Sequence, residues 1–362
     1  MGSVAAEGSA SSIDSSTGPD ASWPDVRLHI VTGKGGTGKT TVAAALALAL
    51  AAKGRRVLIA EVEGRQGISQ ALDVPPLSAE ERRLLRASQG GQVWGVSVDP
   101  KAALLEYLDR FYHLGRAGKT LEKLGAIDFA TTIAPGVRDV LSLGKVYDVA
   151  RRPEGGSSAR SRRRDRPGSI DAVASFAYDA VILDAPPTGR VVRFLNVNTE
   201  VSDLARVGPI RHQADSVTAL LKSPACAVHV VTLLEEMPVQ ESADTITELR
   251  DSGLPVGAVV CNQVREPHLC PADLRAAVDG HLDPSSLAEQ LRGLGLPHDE
   301  ATVGGLLAQA QAHGQRIALE DEQLSIIDGL GQPVLVLPAL PDGADPDSVR
   351  VLAHQLAEQG EW

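Results

Sequence analysis

Short, almost continuous apolar runs recur along the chain, and a stretch with helical spacing usually follows each one. The runs cover residues 27–31, 56–62, 92–98, 179–184, 227–233, 256–262 and 333–337. Near-continuous Val, Ile and Leu content means burial on both faces, as in a parallel sheet covered by helices. The alternation predicts a doubly wound α/β domain, whose ligands sit at the carboxyl ends of the strands. Roughly 80 residues between the third and fourth runs lack strand patterning. There Leu104, Leu105, Leu108, Phe111 and Tyr112 fall on one helical face. A helical stretch over 137–150 and another over 201–222 complete an expected helical subdomain, at about 100–150 and 200–222.

The first run leads into Gly33-Lys34-Gly35-Gly36-Thr37-Gly38-Lys39-Thr40-Thr41, and a helical run follows. Glycines let the backbone fold tightly, so that successive N–H groups point inward at phosphate oxygens. The helix that opens there adds its positive dipole end. Lys39 can reach the β- and γ-phosphates of a nucleotide, and the Thr40 hydroxyl can bind Mg²⁺. Strand, loop, Lys-Thr and helix occur in the order a phosphate-binding loop requires. Val181-Ile182-Leu183-Asp184 is an apolar strand ending in a carboxylate, which suits a role in the Mg²⁺ shell, through water. The expected substrate is therefore a nucleoside triphosphate and the expected cofactor Mg²⁺.

The longest purely apolar run, residues 42–52, has 11 residues and is too short for a membrane span of about 20. It reads as the buried helix after the loop. Residues 1–22 are rich in Ser, Ala and Gly and have no hydrophobic stretch. They read as a disordered tail, neither signal peptide nor anchor, ahead of one P-loop domain over 23–362. Residues 151–169 carry seven arginines and a net charge of +5, and read as an exposed disordered loop. Their functional alternative is a tether to acidic lipid or RNA.

A net charge of −11 argues against generic binding to nucleic acid. Three cysteines, at 226, 261 and 270, suit a reducing cytosol, and their spacing predicts no zinc site. Cys226 and Cys261 read as packing residues in strands.

Lys34 narrows the reading. The form K-G-G-T-G-K-T resembles the deviant Walker A motif of a class of dimeric ATPases, in which the extra lysine reaches the nucleotide of the other subunit. Asp184-Ala185-Pro186-Pro187-Thr188-Gly189-Arg190 and the residues up to Leu195 are similar to the switch II segment of one family in that class. That family comprises the arsenical pump ATPases and the ATPases that target tail-anchored membrane proteins. The arrangement is closest to its actinobacterial anion-transporting-ATPase-like members. Pro135-Gly136-Val137-Arg138, Glu236 with Glu241, Asn262-Gln263, and Pro338-Ala339-Leu340-Pro341 resemble further family elements.

The resemblance implies a P-loop NTPase fold of the SIMIBI class with the helical subdomain over the nucleotide face. It implies nucleotide contacts from residues 33–41, with Asn262 at the adenine edge and Pro338 in the loop over the base. Glu61, Asp184, Pro187, Thr188 and Gly189 would act as switch residues. Where the family has D-P-A-H, this chain has Glu61-Val62-Glu63-Gly64-Arg65-Gln66. In a D-x-D register Glu63 would orient the attacking water, with Lys34 and Lys39 neutralising phosphate charge. Glu61 either supports the Mg²⁺ water shell or simply ends the strand.

The implied state is a homodimer or a heterodimer with a paralogue, cytoplasmic or peripheral at the inner face of a membrane. The implied partner is a membrane-protein client or a transporter subunit. Membrane-protein targeting ranks ahead of an anion or arsenite efflux motor, and both rank ahead of a non-hydrolysing nucleotide-switch scaffold. The helical region lacks methionine, and no C-x-x-C clamp occurs, so equivalence with the eukaryotic targeting factor is incomplete. No cysteine lies in the helical inserts, which disfavours arsenite.

Overall fold

A computed structural model describes residues 20–62, 64–99, 102–103, 135–154, 176–204, 209–340, 343 and 345–362. Among the described residues eight strands form one sheet, in the order β3-β4-β2-β5-β1-β6-β7-β8. They are β1 Leu28–Gly33, β2 Arg56–Glu61, β3 Arg82–Arg86, β4 Gln92–Ser97, β5 Ala180–Asp184, β6 Cys226–Thr232, β7 Val256–Val264 and β8 Val334–Pro338. Every neighbouring pair is parallel except β3 with β4. The seven apolar runs are all strands. The eighth strand, β3, was not expected from the sequence: its Arg-Arg-Leu-Leu-Arg reads as polar surface, and it lies antiparallel at the sheet edge. Charged side chains there discourage pairing with other chains.

Among the described residues the helices are α1 Lys39–Ala52, α2 Gly67–Ala71, α3 Pro135–Ala150, α4 Thr188–Leu204, α5 Pro209–Leu221, α6 Glu236–Asp251, α7 Pro271–Val278, α8 Pro284–Gly293, α9 Glu300–Asp328 and α10 Pro346–Gln359. They cover both faces of the sheet. Alternate strand residues divide between two cores, as a period of two requires. Val31, Ile59 and Ile182 pack on one face with α1 and α10. Ile30, Leu58, Val181 and Leu183 pack on the other with α3, α4, α5 and α6. Helix α1 is Ala/Leu-rich all round and almost entirely buried, since it is wedged between sheet and α10.

Of the expected helical subdomain, 135–150, 201–204 and 209–222 are helical or at helix ends, and 104–134 lies outside the described residues. A second excursion, α7 to α9, joins β7 to β8. The backbone N–H of Arg265, one residue past β7, donates to Glu320 Oε2 at 3.0 Å. The part of α9 before Glu320 therefore runs beyond the carboxyl edge of the sheet, for about 30 Å at 1.5 Å per residue.

Residues 22–23 meet residues 361–362 at the opposite edge. Ser22 bridges to Glu361, and Trp23 stacks on Trp362 with ring centroids 4.6 Å apart. Residues 20–22, at the end of the expected tail, are thus held against the fold. Residues 1–19 and 155–175, which take in all but the first four residues of the arginine-rich segment 151–169, lie outside the described residues, whereas Arg151 to Glu154 are held against the fold, Arg152 by Glu81. No described helix is long and apolar enough to cross a membrane.

Candidate nucleotide site

The site forms at the carboxyl ends of β1, β5 and β2, which are adjacent in the sheet. The loop 33–38 leaves β1 through two glycines with positive φ, Gly36 (93°) and Gly38 (82°). Such angles favour glycine because an L side chain clashes with its own backbone. Gly33 is fixed for a different reason. A Cβ there would lie 2.3 Å from the carbonyl oxygen of Val231, on the neighbouring strand. Around Gly35 a Cβ would meet nothing within 4 Å, so the mouth of the loop is open.

Local and long-range hydrogen bonds fasten the loop. The backbone N–H of Thr37 donates to Lys34 O at 3.2 Å, and its hydroxyl donates to the same oxygen at 3.0 Å. Asn262, near the end of β7, donates its side-chain amide to Thr37 O at 2.8 Å. Thr32 Oγ1 donates to Pro186 O at 2.8 Å and ties β1 to the segment after β5. Lys39, Thr40 and Thr41 open α1 and are half-buried.

The Thr40 hydroxyl donates to Asp184 Oδ2 at 2.8 Å, across 144 residues of sequence. Glu61 sits directly opposite Asp184 in the β2–β5 register. Its side chain is buried, and Oε1 accepts from the Gly67 N–H at 2.9 Å. Its Oε2 is buried with no hydrogen-bond partner. A hydroxyl and two carboxylates converging here are hard oxygen donors, and an unsatisfied buried carboxylate oxygen is costly unless a cation or ordered water meets it. The residues therefore fit Mg²⁺. Among the described residues no cluster of three or more His, Cys, Asp or Glu could hold a metal unaided. Magnesium characteristically completes its shell with water and substrate phosphates.

Switch elements surround this centre. A Cβ on Gly67 would lie 2.9 Å from the Thr40 side chain, so α2 abuts the loop. Gln66 anchors the preceding turn: its Oε1 accepts from the Leu77 N–H at 2.7 Å, and its Nε2 donates to Leu77 O at 3.2 Å. Glu63 lies outside the described residues. Pro187 precedes α4, and Thr188 and Gly189 begin it, with Thr188 buried. The Thr188 hydroxyl donates to Glu241 Oε1, and Glu241 Oε2 lies 3.4 Å from Lys34 Nζ. Pro338 ends β8 beside Val264, and Ala339 N donates to Val264 O at 2.9 Å. It stands one strand beyond Asn262.

Sequence reasoning picked out the loop, Asp184 and Asn262 but missed two partnerships. Asn262 bonding to the loop carbonyl and Glu241 bonding to both Lys34 and Thr188 depend on which strands are neighbours. Of the cysteines, Cys226 and Cys261 are buried in strands and Cys270 is exposed at the start of α7. Burial pushes both buried thiols up to about 12. Cys261 pairs with Thr232, six residues beyond Cys226 on β6, so the two lie about 20 Å apart along the strands.

A parallel sheet with a glycine loop, Lys39, and a Thr40–Asp184 pair at the carboxyl ends defines a P-loop nucleotide hydrolase. Comparison with known proteins specifies the family. The anion-transporting ATPase (ArsA) family model matches residues 26–222. ATPase BagA of Mycobacterium tuberculosis is 47% identical over 350 residues, covering 96% of this chain and 98% of that protein. The arsenical pump-driving ATPase of Escherichia coli is 26% identical over 298 residues, covering 74% of this chain and 45% of that protein. ATPase GET3 of Kluyveromyces lactis is 23% identical over 272 residues, covering 66% and 72%. The chain belongs to the ArsA ATPase family, and its activity is ATP hydrolysis.

Proposed function

We propose that the chain is a Mg²⁺-dependent dimeric ATPase that opens and closes a helical face for a membrane-protein client. The observation that carries this reading is the junction at Glu241. One carboxylate joins Lys34 of the phosphate loop to Thr188 at the head of α4, and α4 packs on α3, α5 and α6. A change at the γ-phosphate thus has a short mechanical path to the helical face.

In this account the N–H groups of residues 35–40 and the Lys39 ammonium neutralise the β- and γ-phosphate oxygens. Bound Mg²⁺ would add Lewis-acid stabilisation of charge developing on those oxygens. Thr40 and Asp184 would hold it, Asp184 through water, and Glu61 Oε2 would accept from a water of its shell. Lys34 of the partner chain supplies further positive charge, much as an arginine finger does. Glu63 orients the attacking water. Asn262 positions the loop while facing the adenine edge, and Pro338 borders the base.

An arsenite motor is less well supported. A metalloid site needs converging thiolates, and Cys226 and Cys261 are far apart with raised pKa values. The client reading is tested by co-expressing the chain with a protein bearing one C-terminal transmembrane segment. Retention of that segment in a soluble complex with ATP, lost with ADP, is the expected result. Aggregation of the segment in both nucleotide states, with ATPase activity stimulated by arsenite, would contradict it.

A further inference from the structure

We propose that Glu241 is a positioning residue that latches Lys34 within its own chain, so that this lysine becomes available to a second copy only when the latch opens. The inference rests on the dimeric reading above and adds the step that controls it.

Glu241 lies on α6, in the turn after Glu236, and engages two separate elements. Its Oε2 is 3.4 Å from Lys34 Nζ, and its Oε1 accepts from the Thr188 hydroxyl. A lysine paired in this way is not free to neutralise phosphate on another molecule. Both side chains are about one-third exposed, 33% for Lys34 and 32% for Glu241, so solvent screens the pair. A pair of this kind changes an equilibrium by only about 1.4- to fivefold. That weakness suits a latch. A triphosphate on a second copy presents more negative charge than one carboxylate and can draw the lysine away.

Thr188 makes the latch informative to the rest of the molecule. It is buried at the first turn of α4, on the segment that follows Asp184. When Lys34 leaves, the Glu241 carboxylate keeps its bond from Thr188 and loses its cation. The state of the dimer interface is thereby transmitted to the start of α4. A symmetric dimer opens two latches, so their effects multiply.

The test measures ATPase rate per chain against protein concentration at saturating Mg·ATP. Glu241→Gln keeps an acceptor for Thr188 and removes the charge that holds Lys34. Its half-maximal concentration should fall by roughly two- to 25-fold, the square of the single-pair effect. Glu236→Gln makes the same charge change on the same helix, at an exposed position, and should leave that concentration unmoved. An unchanged or raised half-maximal concentration in Glu241→Gln, with a concentration-dependent wild type, overturns the latch alone. An equal shift in both variants also overturns it, since net charge would then be the cause. A wild-type rate independent of concentration, together with an active Lys34→Ala, defeats the dimeric reading and the latch with it.

Discussion

Asn262 reaches back across 225 residues to donate its side-chain amide to the carbonyl oxygen of Thr37, at 2.8 Å and out of solvent. The phosphate loop is therefore pinned from β7 as well as by its own turn. Asn262→Ala leaves the Thr37 carbonyl without this donor and should cost about 1–3 kcal/mol of stability. Asn262→Asp should be worse, because a carboxylate would face a carbonyl oxygen. Thermal melts of both variants check the order. Calorimetry with ATP and GTP separates loop positioning from the proposed contact of Asn262 with the base. An equal loss for both nucleotides reflects loop positioning, and a loss confined to ATP reflects reading of the base.

The glycines of the loop should respond very differently to one added methyl group. Gly33→Ala places a Cβ against the Val231 carbonyl, which belongs to a central strand and cannot yield. It should lower the melting temperature sharply. Gly35→Ala meets no protein atom within 4 Å. It should fold as the wild type does, so any weakening of ATP binding seen by calorimetry reports contact with phosphate itself.

Stability should fall in acid because of a buried histidine pair. His229 Nδ1 accepts from the Ala258 N–H at 3.1 Å, which places the His229 proton on Nε2 and directs it at His29 Nδ1, 3.1 Å away. The remaining His29 proton then sits on Nε2, which is buried without a partner. Trp23 and Trp362 enclose the pair, and Arg55 adds unfavourable charge. Burial holds His229 down at about 3, and burial with the charges of His229 and Arg55 holds His29 well below its ordinary value. A lowered histidine pKa in the fold means protons bind the unfolded chain first. Stability is full above about pH 6.5 and declines as pH falls from there toward 3. Denaturant midpoints between pH 4 and 8 should show this slope, and His29→Leu with His229→Leu should flatten it.

The arginine-rich segment should be dispensable for folding. Its flanks are fastened independently of it: Pro153 bridges antiparallel to Phe176, and Arg152 makes two 2.8 Å hydrogen bonds to Glu81. Tyr178 donates to the same carboxylate at 2.7 Å, and Arg27 lies over the Phe176 ring at 3.4 Å. Bridge partners lie about 5 Å apart, so a short Gly-Ser turn can replace residues 155–175. The deletion should change the melting temperature by no more than a few degrees and leave ATPase activity near wild type. Loss of activity in a folded deletion variant would place this segment at the site.

Seven of the eight strands and the phosphate loop were legible because buried parallel strands announce themselves as continuous apolar runs. Strand β3 was not, because Arg82, Arg83 and Arg86 mask its two leucines. Asp184 could be found as a carboxylate closing a strand. The meaning of Glu61 could not, since it depends on β2 and β5 being neighbours in register. The same holds for Glu241, whose two partners come from distant parts of the chain. Nothing in the sequence marks Trp23, Trp362, His29 and His229 as one cluster, which closes only when the segment before β1 meets the segment after α10.

Completion of each active site by Lys34 of a second copy, as proposed above, can be measured by mixing two inactive variants. Lys34→Ala retains its own loop and Asp184 but offers its partner no lysine. Asp184→Asn loses its own centre but still presents Lys34. In a one-to-one mixture half the dimers are mixed, each with one complete site, so the rate should recover to about a quarter of the wild-type rate. A mixture no more active than the sum of its two components would contradict the account.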